Sequence, residues 1–326
     1  MRRAQRGVAL LVVLWACTLL AILVGGFASI ARVEALQTRF TLGQQRARYA
    51  AEAGITRAIV FVQAQRHQAL LVEMGGAPLS ASGVPADGRS LAFDFDRVHV
   101  AVGMLDETGK VDINSAEPRV LKALFVASGC SLARADELTR RVLEWRGPTV
   151  GAVSDDGSPP VVPLAATSGN PSSKYRPFVA IEELQSLAGM DPTLYSTLEP
   201  AITIWSGQPA PQPDFAPALA LAAVRGLDLS TAREVVGIRD SVPPGTALPN
   251  LPGGINLGSA LPGNTMTFRA TADDGHGARA TVEATVQFTL MGPDRDPHQK
   301  LYTVLRWRDG PSLTDSAEVA NRRNHG

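Results

Sequence analysis

Between Val8 and Ala31 no residue carries a charge, a run of 24 positions that follows Arg2, Arg3 and Arg6. About 20 helical residues cross the hydrocarbon core of a bilayer, so this run is long enough to span one. The three arginines hold the N-terminus on the cytoplasmic side, and everything after Ala31 is then expected across the membrane. A secretory signal has an apolar stretch of roughly 7–15 residues before a small-residue cleavage site. Ala28-Ser29-Ile30 offers such a site, but the stretch ahead of it is too long for that type.

The pattern continues past the run without a proline. Leu36, Phe40, Ala47, Ala50, Ala51, Ile55, Ala58, Ile59 and Val62 recur at spacings of three and four, with Arg32, Glu34, Gln37, Arg39 and Arg48 among the intervening positions. One helix is therefore expected from Val8 to about Leu71, apolar all round at first and amphipathic afterward. Its membrane stem would pack through Val8, Leu11, Val12, Trp15, Leu19 and Ile22.

Residues 75–90 are rich in Gly, Ala, Ser and Pro and read as a loop. The period then changes to two: Val98, Val100, Val102 and Met104 share one face of a strand, with an additional or continuous strand at Leu91–Phe95. Two segments next repeat a spacing. Ala116, Leu121, Leu124, Gly129, Ala135 and Leu138 are matched by Ala216, Leu221, Val224, Gly226, Ala232 and Val235. Each describes two short helices joined at a glycine turn. Further helices are expected over Ile181–Leu187 and Thr193–Ile202, and long loops over residues 147–177 and 241–263. Period two returns at Thr267–Ala272, along Val282, Ala284, Val286, Phe288 and Leu290, and at Tyr302–Trp307.

The three late strands can pair with the early one only if the helical block interrupts a single αβ unit. The expected fold class is α+β: a long N-terminal helix packed on an antiparallel sheet, with a large all-helical insertion domain. The expected divisions are a leader at 1–7, a transmembrane part at 8–31, and a first core segment at 32–113. An insertion at 114–240, a second core segment at 241–310 and a tail at 311–326 follow.

A short basic leader ending in Gly7, ahead of such a helix, resembles the type IV prepilin class. Tyr49-Ala50-Ala51-Glu52-Ala53-Gly54-Ile55-Thr56-Arg57-Ala58 resembles a segment common in one branch of it and in some other minor pilins. So do Asp112–Ala116, Ile202–Gly207 and Leu305–Arg308, in that order. The class usually carries glutamate at the fifth mature position, where this chain has Val12. A carboxylate buried in membrane is costly unless paired, and a subunit with none above it lacks the partner. The branch known for that absence is the type II secretion minor pseudopilin K family, which the chain resembles through nearly its whole length.

That resemblance implies cleavage between Gly7 and Val8 by a prepilin peptidase, an inner-membrane anchor and a periplasmic bulk. It further implies a tip complex with minor pseudopilins I and J that caps and starts the pseudopilus, with pseudopilin H and the major pseudopilin G as further candidate neighbours. Two other readings stand beside it: a minor pilin of a type IV pilus, and a membrane-anchored helix-hairpin-helix protein that binds nucleic acid. Against the last, Lys+Arg and Asp+Glu are both 31, and Asp136, Glu137 and Asp228 lie near the glycine turns.

No catalytic constellation is visible, and the five histidines have no spaced partners for a metal or a triad. The chain is therefore not expected to be an enzyme. Cys17 and Cys130 are too differently placed to pair. Relatives in the family are associated with calcium, and Asp106, Asp112, Asp273 and Asp274 are the weak candidates for it. None has EF-hand spacing, and each reads first as a solvated turn. Gly253–Gly258 lacks the Lys-Ser/Thr of a phosphate loop. No other cofactor is called for.

Overall fold

The computed structural model describes residues 5–73, 86–147, 176–225, 227–258, 260–289 and 300–310, with side chains from 10 to 67 in the first segment. Helix α1 spans Gln5–Glu73, 69 residues without interruption. At about 1.5 Å per residue it is roughly 100 Å long. Glycine inside a helix costs about 1 kcal/mol relative to alanine, and two of those in α1 have a packing reason. A Cβ on Gly54 would stand 2.7 Å from Cγ1 of Val100, and one on Gly43 would stand 3.0 Å from Cβ of Ala278. Here the helix backbone touches the sheet.

That sheet has five antiparallel strands in the order β1-β2-β7-β8-β9. They are β1 (Asp87–Phe95), β2 (Val98–Asp106), β7 (Thr265–Asp273), β8 (Arg279–Phe288) and β9 (Tyr302–Asp309). Alternation assigns the two faces. Val98, Val100, Val102 and Met104 of β2, Met266, Phe268, Ala270 and Ala272 of β7, and Val282, Ala284, Val286 and Phe288 of β8 form one buried layer. Against it α1 sets Ala47, Ala50, Ala51, Ile55, Ala58, Ile59 and Val62. α1 rises along the strands from the β7–β8 turn, where Gly43 meets Ala278, to Asn264, which binds Arg66.

Between β2 and β7 the chain builds a second core. It contains β3 (Val111–Asp112), α2 (Pro118–Ala127), α3 (Leu132–Arg146), α4 (Pro192–Leu198), β4 (Ile202–Thr203), α5 (Ala218–Arg225), α6 (Leu229–Asp240), β5 (Leu248–Leu251) and β6 (Ile255–Leu257). Leu121, Leu124, Phe125, Leu138, Leu184, Leu198, Ile202 and Leu221 are buried in it. Pro118 and Pro192 stand in the first turns of α2 and α4, where proline breaks no helical hydrogen bond. Ser131, Asp191 and Asp228 cap α3, α4 and α6 by accepting a backbone N–H three residues on.

Local readings are corrected at several places. Strand β1 begins at Asp87, inside the expected loop, because Asp87 anchors Arg89 and a bulge follows at Gly88. Ile181–Ser186 is a 3-10 turn, and Ile202 leaves the expected helix to pair in parallel with Val111. The expected loop over 241–263 contains the β5–β6 hairpin, whose tight turn places Gly253 and Gly254 at φ 74° and 70°. Leu36 and Phe40 are exposed, because the sheet begins only at Gly43. Leu290, Gly226, most of the expected loop over 147–177 and the tail after Gly310 lie outside the described residues.

Candidate functional site

Two features set this molecule apart: the bare lower half of α1 and the manner in which the helical block is fixed to the sheet. Gly7 and Val8 lie in the first turns of α1, with their side chains outside the described residues. Leu11, Val12, Trp15, Leu19 and Ile22 are all exposed, Leu19 least at 47% and Ile22 most at 75%. The most apolar window of this helix has a mean hydropathy of 2.6 and none of it is buried, so it is long and apolar enough to cross a membrane. The Thr18 hydroxyl donates back to the carbonyls of Trp15 and Leu14 at 2.8 and 3.1 Å, which leaves no unsatisfied donor there. Val12 leaves the fifth position after Gly7 without a charge.

At its upper end α1 is tied by Arg66. This guanidinium lies 4.6 Å from the Phe288 ring centre, donates to Asn264 Oδ1 at 3.0 Å, and donates to the Gly263 carbonyl. Burial lowers its pKa, and nearby Asp106 opposes that shift. Asp106 is itself fully buried and accepts from the backbone N–H and hydroxyl of Thr108 at 2.8 and 2.6 Å and from the Gly263 N–H at 2.5 Å. Burial raises its pKa; the hydrogen bonds act the other way.

The block is fastened to the sheet on three sides. In the middle, Gly109 passes so close to Phe215 that a Cβ would stand 2.4 Å from its carbonyl, and Phe215 fills the sheet's own core. On the β1 side, Arg239 donates to the Ala216 carbonyl at 2.8 Å and sits 3.9 Å from Asp87, while Arg89 donates to the Val242 carbonyl. Burial pushes the Asp87 pKa up, but the hydrogen bonds from Arg89 and the charge of Arg239 outweigh it and hold it below the usual carboxylate range. On the β9 side, Arg306 and Arg308 both pair with Glu182, and Arg308 reaches Glu199 at 2.6 Å. Arg306, Arg308 and Glu199, with Lys110, Trp205 and Ile202, line a cleft of about 290 Å³ between the block and the face of the sheet turned away from α1.

Three stretches far apart in sequence meet here. Val111 and Asp112 pair with Ile202 and Thr203. The Asp112 carboxylate accepts from the N–H groups of Asn114, Ser115 and Gly207 at 2.8, 3.2 and 2.7 Å. Burial raises its pKa against those bonds. Arg306 lies 6.0 Å from the Trp205 ring centre, which brings in the third stretch.

Sequence reasoning missed two buried arginines that close the repeated helix pairs. Arg146, in the last turn of α3, donates to the carbonyls of Ile113 (2.7 Å) and Ala116. Arg239, in the last turn of α6, does the same for Ala216, which stands at the matching position of the repeat. Burial lowers the Arg146 pKa to about 10. The signal was present: an arginine stands in the last turn of the second helix of both repeats.

The four candidate calcium carboxylates fall in two places. Asp106 and Asp112 hold turns at the block's entrance, as described. Asp273 and Asp274 lie at the opposite end of β7, where Asp273 pairs with Arg279 at 2.7 Å and Asp274 accepts from the N–H groups of His276 and Ala278 at 2.8 and 2.9 Å. Among the described residues no group of three or more His, Cys, Asp or Glu is placed to hold a metal ion.

Residues 99–207 match the family described as type II secretion system (T2SS), protein K. No curated protein matches the chain. A solved structure does: the crystal structure of the GspK-GspI-GspJ complex from the enterotoxigenic Escherichia coli type 2 secretion system. It matches with a TM-score of 0.50 and 14% identity over 85% of this chain and 100% of the other. At that identity the likeness is one of fold.

Proposed function

We propose that this chain, whose residues 99–207 match the protein K family of the type II secretion system, is a minor pseudopilin that caps and starts the pseudopilus as a tip subunit. The stem inserts in the inner membrane as a single span, and the folded bulk stands in the periplasm. A prepilin peptidase cuts between Gly7 and Val8, so that Val8 begins the mature chain. Minor pseudopilins I and J are the partners, by analogy with the complex whose fold this chain shares.

One observation carries the reading. The helical block is inserted between β2 and β7 at the end of the sheet farthest from the stem, and it is fixed there through Asp106, Phe215 and Arg239. A bulky domain that enters at the membrane-distal end occupies space where the next subunit of a shaft would sit. A subunit without a successor also needs no carboxylate at position 12.

The test begins with the N-terminal sequence of the protein from cells with and without the peptidase. A peptidase-dependent start at Val8, together with recovery of the chain with I and J, is the expected result. A start near Ser29 or Ala31 would make it a secreted protein, and repeated copies along a filament shaft would sink the tip assignment.

A further inference from the structure

The helical block and the sheet are not held together evenly along their junction. The chain leaves the sheet at the end of β2 and returns at the start of β7, and these two crossings are neighbours. Asp106 is paired with Met266, and its carboxylate accepts the Gly263 N–H at 2.5 Å. Beside them Gly109 lies against Phe215, which sits in the core of the sheet. The contact of Asp87 with Arg239 is one strand away, on β1. This end of the junction is covalent and buried.

The other end is held by charge. β9 lies two strands from β7, about 10 Å at the usual strand spacing. There Glu182 takes both Arg306 and Arg308, and Arg308 also reaches Glu199. The Glu182 side chain is 43% exposed, so water and salt reach its pairs and weaken them. Glu199 is buried, and its Oε2 accepts no hydrogen bond among the described residues. A carboxylate oxygen closed away from donors is unfavourable, and water admitted there relieves it. Between the two ends the cleft separates the block from the sheet, with Thr267, Thr285 and Arg269 on its floor. The two apolar cores are separate clusters, so the far end can part without opening either.

We propose that the block is a hinged lobe. It turns about the crossings at Asp106 and Gly263, with Phe215 seated as the pivot, and opens over β8 and β9 when Glu182 releases Arg306 and Arg308. The arrangement described above is the closed form. A lobe held at two adjacent points can rotate but cannot depart, so the crossings confine the motion. Both cores stay folded in the open form. What changes is access to the cleft floor, where Thr285 is 2% exposed and hydrogen-bonded to Thr267 at 2.8 Å.

The experiment reads thiol accessibility in the full chain, purified in detergent. Cys17→Ser removes the exposed native thiol, and Thr285→Cys places one on the cleft floor. The buried Cys130 remains as an internal monitor of the helical core. Adding Glu182→Ala should speed alkylation at position 285 about tenfold, as the loss of two such ion pairs implies. The gain should hold for a small maleimide and for a polyethylene-glycol maleimide too wide to pass between side chains, with Cys130 unchanged. Arg89→Met, which removes a bond on the hinge side, should leave the rate at 285 as it was. With the latch intact, raising salt from about 50 mM to about 500 mM should also speed the reaction at 285. A rate at 285 indifferent to Glu182→Ala overturns the proposal; where that variant does not fold, the salt series decides alone. A gain for the small reagent only means side-chain fraying, and a gain shared by Cys130 means unfolding; either overturns it. So does an equal gain in Arg89→Met, which would show a block loosened everywhere with no hinge side.

Discussion

The lower and upper halves of α1 are one continuous helix built for two solvents. Below Gly43 large apolar side chains such as Trp15, Ile22 and Phe27 are exposed all round the helix among the described residues. Above it Ala47, Ala51 and Ala58 are fully buried against the sheet, and among the large apolar side chains Ile55, Ile59 and Val62 join them while Tyr49 and Val60 remain exposed. A bilayer rewards apolar area whatever its shape, whereas a sheet rewards a backbone that can approach closely. The same helix propensity therefore serves an interchangeable surface below and a fitted one above.

The comparison breaks first at glycine. Gly54→Leu drives a side chain into Val100 and Val102, and overpacking of this kind costs about 3 kcal/mol. Thermal unfolding of the folded region should shift down by roughly 10 °C. Gly25→Leu, in the half where nothing lies within 4 Å, should leave that transition unchanged. Equal shifts for the two would erase the distinction.

Charge tests the halves in the opposite sense. Leu19→Arg places a cation in the middle of the stem at about 2.5–3.5 kcal/mol of insertion free energy. The membrane-bound fraction after fractionation should fall while the melting transition stays in place. Arg66→Met acts at the other end, removing the bonds to Asn264 and Gly263 and the contact with Phe288. It should cost about 2 kcal/mol in denaturant unfolding and leave insertion unaltered.

The smallest effect concerns the sheet that only the upper half touches. Asp87 has a folded pKa below its unfolded value, so its contribution is present above about pH 4 and is lost as pH falls through the folded value. Asp87→Asn should lower the melting temperature at pH 7. The difference from the parent should close as pH drops below about 4, and a constant difference across that range would show that charge is not the cause.

Periodicity made the long helix, the strands and the repeated helix pairs legible, because each buries a face that recurs at its own spacing. The three converging stretches were visible as landmarks, but nothing local stated that Asp112 would hold Gly207 or that Arg306 and Arg308 would reach Glu182. Buried arginines are hidden for the same reason. In sequence, Arg146 resembles Arg140 and Arg141, and only the carbonyls of Ile113 and Ala116 set it apart. The β5–β6 hairpin was obscured by its prolines and glycines, which serve its turn and still allow Leu251, Ile255 and Leu257 to reach the helical core.

The unbroken length of α1 also decides how force passes through the molecule. Along the stem a pull runs through one column of backbone hydrogen bonds in series, with no linker to slacken it. Where the helix meets the sheet, the load divides among the seats at Gly43 and Gly54, the bridge from Arg48 to Asp309, and the clamp of Arg66 at the far end. These resist in parallel and in shear, the geometry in which many weak contacts hold best. A displacement of the stem thus reaches the distal block without passing through a hinge in the helix.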